Sequence, residues 1–189
     1  IIDTPADIAD PGEAGVDLPR GPITVDVEQV TFAYPGGEPV LRDVSLHIPP
    51  RARIAVVGET GSGKSTLAKL LSRLVDPDQG RIRLDGVDLR RVRFDTLRSR
   101  VVLVPQEGFL FDASLLDNLR FGRPEATAEL VGDTLAELGL DDWARSLPLG
   151  LATPVGQRGE SLSAGERQLV ALVRAYLANP DLLILDEAT

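Results

Sequence analysis

Short apolar runs and turn residues alternate along most of this chain. Residues 23–27 (Ile-Thr-Val-Asp-Val) place apolar side chains at every second position, the period of a half-buried strand. Residues 30–34 extend that strand, Pro35-Gly36-Gly37 turn it, and residues 40–48 return as a second strand that contains His47. Residues 54–57 (Ile-Ala-Val-Val) are continuously apolar, which predicts a strand buried on both faces in a parallel sheet. Residues 66–74 then switch to helical spacing. Residues 81–89, with Asp85-Gly86 at their centre, predict a hairpin.

Residues 101–104 predict a further buried strand, broken at Pro105-Gln106. From 114 to 146 the pattern is mainly helical. There Thr127 is the expected cap of a helix with Leu130, Val131, Leu135 and Leu138 on one face. A Gly/Pro-rich loop covers 148–161, and residues 167–178 form an amphipathic helix stopped by Asn179-Pro180. Residues 182–185 predict a last buried strand, ending in Asp186-Glu187. Residues 1–22 are rich in Pro, Gly, Asp and Glu, and read as a linker or extended arm rather than a packed element.

One stretch carries specific chemistry. Residues 58–65 read Gly-Glu-Thr-Gly-Ser-Gly-Lys-Ser, which fits the phosphate-cradling pattern G-x-x-x-x-G-K-[ST] between a predicted strand and a predicted helix. Backbone N–H groups at a helix N-terminus, with a lysine, neutralise a polyphosphate. An aspartate at the end of an apolar strand, Asp186, suits a Mg²⁺ shell, and Glu187 suits the activation of an attacking water.

Composition narrows the partners. A net charge of −9 argues against a nucleic-acid ligand, which calls for a basic face. The chain has no cysteine, hence neither disulfides nor thiolate metal sites. No apolar run approaches the ~20 residues that span a bilayer. Methionine is absent and the chain begins at Ile1, so it is expected to be a piece of a longer protein.

Residues 161–168 (Ser-Leu-Ser-Ala-Gly-Glu-Arg-Gln) resemble the ABC signature sequence. The order of P-loop, glutamine after a strand, signature and acidic strand resembles that of ABC ATPases over about 23–189. The resemblance implies an α/β fold: a P-loop NTPase core with a mostly parallel sheet, an N-terminal antiparallel β subdomain, and a helical subdomain at about 107–165. It implies ATP and Mg²⁺ as ligands. Tyr34 would stack on adenine, and Gly58, Thr60, Gly61, Ser62, Gly63, Lys64, Ser65 and Thr66 would wrap the phosphates. Ser65, Gln106 and Asp186 would serve the Mg²⁺. Lys64, Gln106 and Glu187 would act in hydrolysis. Ser163 and Gly165 would reach the γ-phosphate held by a second nucleotide-binding domain, as homo- or heterodimer. Ala164 and Glu166 depart from the usual glycine and glutamine.

Residues 153–160 resemble the loop that marks ABC exporters, and 1–22 resemble the linker from an exporter's transmembrane domain in the same polypeptide. Phe109-Leu110-Phe111 resembles the patch on which exporters dock coupling helices. The resemblance thus implies an ATPase powering efflux at the cytoplasmic face of a cell membrane, of bacterial origin. The alternatives are an importer ATPase, a soluble ABC ATPase acting on DNA, and a regulatory domain that binds nucleotide without hydrolysis. The family's later aspartate loop and switch histidine have no counterpart up to Thr189. This piece alone is therefore expected to bind nucleotide weakly or not at all, and to turn it over very slowly.

Overall fold

The computed structural model describes residues 8–106 and 108–186. The chain divides into two compact units, Ile1–Leu103 and Val104–Thr189.

In the first unit, β1 (Val25–Ala33) pairs antiparallel with β2 (Pro39–Ile48) on one side and β3 (Gln79–Leu84) on the other. The short β4 (Val87–Asp88) closes the predicted hairpin against β3, giving the order β2-β1-β3-β4. Alternation decides which residues reach the core. Val25 and Val27 are buried, and after a bulge Val30 and Phe32 are. Gln29 sits at that bulge with φ 49°, and its extra residue returns the apolar set to the inner face. Gly80 of β3 runs past the bulge with φ +77°, and a Cβ there would lie 2.3 Å from the Glu28 carbonyl oxygen. Only glycine lets β3 approach so closely. His47 is a strand residue, as expected, with Nδ1 2.6 Å from Asp26 Oδ1.

The helices of this unit are α1 (Lys64–Leu71) and α2 (Phe94–Arg100). The N-terminal arm corrects the sequence reading, because residues 9–21, though largely exposed, dock on this unit through hydrogen bonds and one buried side chain. Val16 donates to the Arg91 carbonyl at 2.7 Å and accepts from the Arg93 N–H at 3.2 Å, and Leu18 is buried. Arg73 and Arg100 explain the docking. Both guanidinium groups are buried, at 3% and 1% exposure, and need acceptors. The arm offers carbonyls: Ala9 accepts from Arg73, and Pro19 and Gly21 accept from Arg100. Proline lacks an N–H but keeps its acceptor, so a Pro/Gly-rich segment serves this role well.

Residues 54–57 also differ from expectation. They form no strand, and Ile54 and Val57 are 46% and 87% exposed. The strand pairings whose register is defined are antiparallel. A parallel strand needs neighbours delivered by crossover connections, and this segment has no ladder partner among the described residues. The expected mostly parallel sheet is thus not assembled there.

Strand β5 (Val101–Val104) runs across the boundary between the units, and within the second unit the Asp186 N–H, just past β6 (Leu182–Leu185), donates to the Val104 carbonyl at 3.0 Å. Leu183 and Leu185 are exposed, so β6 is not buried on both faces as the apolar run predicts. Four helices follow the expected pattern: α3 (Leu115–Arg120), α4 (Ala128–Glu137), α5 (Asp141–Ser146) and α6 (Ala164–Ala178). Thr127 caps α4 by accepting from the Leu130 N–H at 3.1 Å. Val131 and Leu135 enter the core with Leu115, Leu119, Val170 and Val173, whereas Leu138 at the helix end stays exposed. Helix α6 begins three residues earlier than its apolar pattern shows, so Ala164, Gly165 and Glu166 form its first turn.

Candidate functional site

The phosphate loop belongs to the first unit. Gly61 and Gly63 adopt φ +86° and +93°, and Gly63 is the N-cap of α1. A Cβ on Gly63 would lie 2.7 Å from Leu41 Cδ2, so glycine is required by both conformation and space. Ser62 donates to the Glu59 carbonyl at 3.1 Å, closing the turn through Thr60. The Lys64 ammonium donates to the Gly58 and Glu59 carbonyls, each at 2.9 Å. The lysine thereby braces the start of the loop whose end opens α1. Ser65 and Thr66 follow in the first turn, with Thr66 buried.

Tyr34 stands beside this helix. Its hydroxyl is 3.3 Å from Thr66 Oγ1 and accepts from Lys69 Nζ at 3.4 Å. The ring packs edge-on against Phe32, with centroids 5.1 Å apart, and stays 38% exposed. Asp78 fixes the strand end before it by accepting from the Ala33 N–H at 2.7 Å. Nothing in the spacing of the sequence marked Asp78 for this task.

The second unit carries Gln106, the signature and Asp186. Gln106 is exposed just past β5, and Asp186 follows β6. Glu187 lies outside the described residues. Ser163 is the N-cap of α6, and both Ser163 and Gly165 are exposed. Gly165 has nothing within 4 Å of an added Cβ, so this turn presents open backbone. Ala164 keeps a negative φ as a helical residue, and its methyl fits without strain. Glu166 turns back on the cap. Its Oε2 accepts from the Ser163 N–H at 2.7 Å, and the Ser163 hydroxyl accepts from the Glu166 N–H at 3.3 Å. This is a capping box. Trp143 Nε1 donates to Glu166 Oε1 at 2.9 Å. That indole bond, then the Ser163 bonds, hold the Glu166 carboxyl below its ordinary value.

Two further features lie in this unit. Residues 153–155 are stitched to the start of α3: Leu115 donates to Thr153 at 2.9 Å and Val155 to Ala113 at 3.1 Å. Phe109, Phe111 and Phe121 form an exposed aromatic cluster, while Leu110 between the first two is buried. Asn118, 1% exposed, holds the Phe111 backbone through both its amide oxygen and nitrogen. Arg174 donates to the Phe109 and Asn118 carbonyls. Both supports escaped the sequence reading, because a lone Asn or Arg at these positions has no motif around it.

A family described as ABC transporter matches residues 41–189. The chain belongs to the ABC transporter ATP-binding family. The structure of a bacterial Atm1-family ABC exporter with ATP bound superposes on this ABC domain with a TM-score of 0.93 at 38% identity. That match covers 100% of the domain and 33% of the exporter chain. A fatty acid ABC transporter ATP-binding/permease protein of Mycobacterium bovis is 42% identical over 189 residues, 100% of the domain and 30% of the relative. A multidrug efflux ATP-binding/permease protein of Mycobacterium tuberculosis is 42% identical over 171 residues, 90% of the domain and 14% of the relative. The domain therefore spans a third or less of these relatives. It is an ATP-binding domain homologous to those of ABC exporters fused to a permease. No helix among the described residues is long and apolar enough to cross a membrane.

Proposed function

We propose that this ABC domain binds Mg-ATP and, in the intact transporter, hydrolyses it to drive export. The observation that carries the reading is the loop 58–63. It opens α1 through two left-handed glycines, and Lys64 is poised over its carbonyls. N–H groups at the start of α1 would cradle the phosphates, and Lys64 would exchange the Gly58 and Glu59 carbonyls for phosphate oxygens. Tyr34 would offer its exposed ring to adenine.

Ser65, Gln106 and Asp186 present hydroxyl, amide and carboxylate oxygens, the hard donors that Mg²⁺ takes. Among the described residues no group of three His, Cys, Asp or Glu could hold a metal. Mg²⁺ would neutralise charge on the β- and γ-phosphates.

Two such domains would close head to tail, so that each ATP lies between one P-loop and the Ser163–Gly165 turn of the other. Glu187 would orient the attacking water, which displaces ADP in line and yields phosphate. The catalysis is positioning and electrostatics. The aromatic cluster at Phe109, Phe111 and Phe121 would receive a transmembrane domain of the same polypeptide, reached through residues 1–22, at the cytoplasmic face. The ATP-binding/permease names of the relatives favour this fused exporter over an importer or a DNA-acting ATPase. Those relatives carry different cargoes in their names, which supports a cargo choice made outside this domain, in membrane segments. In the intact polypeptide, Glu187→Gln should retain Mg-ATP binding and stop phosphate release. Hydrolysis by that variant at the wild-type rate would remove Glu187 from its role.

A further inference from the structure

The Glu166 carboxylate accepts two N–H donors from different elements, one oxygen for each. Oε2 takes the Ser163 backbone N–H at 2.7 Å, at the cap of α6. Oε1 takes the Trp143 indole N–H at 2.9 Å, from α5. Trp143 is itself anchored, since its ring packs on the core that contains Leu135, Ala144 and Val170. The Trp143 carbonyl accepts from the Ser146 hydroxyl at 2.7 Å. The carboxylate thus ties the turn that presents Ser163 to a fixed point in the helical unit.

The chemistry of the pair selects glutamate over the family's usual glutamine. An indole N–H and a backbone N–H are both donors only. A carboxylate has an acceptor on each arm and meets both. A glutamine has one acceptor arm and one donor arm, so its NH₂ would face one of the two N–H groups. One bond is then lost, and a donor is set against a donor.

We propose that Glu166 and Trp143 form a latch that sets the orientation of the Ser163–Gly165 turn, making both of them positioning residues for its contact with the γ-phosphate. The proposal rests on the reading of this turn as the trans contact to ATP. The latch belongs to the unit that carries the signature, whereas Tyr34 and Lys64 belong to the other unit. Its loss should lower kcat and leave KM for ATP within about twofold.

The test is a double-mutant cycle in the intact polypeptide, with ATP turnover measured for Glu166→Gln, Trp143→Phe and both together. Each single variant should lose kcat by roughly fivefold, the worth of one hydrogen bond. With Phe at 143 the extra donor is gone, and glutamine can complete the capping box alone. The double variant should therefore be no slower than Glu166→Gln. In parallel, the Trp143 indole N–H resonance, assigned by its loss in Trp143→Phe, reads the bond directly. It should be protected from exchange in the wild type and lose protection in Glu166→Ala. Losses that multiply to about 25-fold in the double variant, or an indole unprotected in the wild type, would overturn the latch. A wild-type polypeptide that turns over no ATP, with its indole protected, would remove the functional reading and the positioning role with it. Multiplied losses in an active wild type would remove the latch alone.

Discussion

Tyr34 shows how one side chain is prepared for a ligand by its neighbours. Phe32 supports the ring from its edge, Lys69 and Thr66 hold the hydroxyl, and Asp78 pins the strand end. The Lys69 ammonium also lies over the ring, 5.6 Å from its centroid, and the ring stays 38% exposed. If adenine stacks there, Tyr34→Ala should weaken Mg-ATP binding by about 1–3 kcal/mol, while Tyr34→Trp keeps most of the affinity. A nucleotide titration followed by fluorescence anisotropy measures both, and equal affinity for wild type and Tyr34→Ala would exclude the stack. The P-loop residues were legible in the sequence because their spacing is itself the chemistry: the loop glycines, a lysine and a hydroxyl must fall in one turn. Asp78, Asn118, Trp143 and Arg174 were not legible. Each acts through a partner distant in sequence, and no local pattern records that pairing.

At the level of elements, periodicity named most strands and helices correctly, because burial of one face dictates period and type together. It failed where a neighbour decides the outcome. Residues 54–57 read as a buried strand from their own composition, yet an apolar run becomes a strand only beside another one. The bulge in β1 was equally invisible, since Gln29 carries no special side chain. Its signal lies in β3, where Gly80 permits the approach. Gly80→Ala should destabilise the first unit by at least about 2 kcal/mol, from left-handed strain and a Cβ 2.3 Å from a backbone oxygen. Chemical denaturation would register it, and an unchanged midpoint would show that β3 does not need the glycine.

Across the whole molecule, the arm at 8–22 is the segment whose behaviour composition describes least well. Flexible by content, it is held by two buried arginines and by Asp17, which meets Arg93 and the Thr96 hydroxyl. The bond to Arg93, then that to Thr96, hold the Asp17 carboxyl below its ordinary 3.8. A depressed folded value means that its contribution is complete above pH 3.8 and fades as pH falls through the lowered value. Hydrogen exchange at the Val16 and Arg93 amides should show constant protection at neutral and mildly acid pH and a decline below 3.8. Asp17→Asn should remove that dependence, and a decline that persists in this variant would assign it elsewhere. If the arm is the link to a membrane domain, its docking makes it a stiff connection to α2.

All of these scales converge on a triphosphate bound at the start of α1. The most direct measurement is equilibrium binding of Mg-ATP to the intact polypeptide and to its Lys64→Ala variant. The account predicts saturable binding by the wild type and its loss in the variant, with the assigned Trp143 indole signal unchanged. Binding of equal strength in both, or none in a folded wild type, would contradict it.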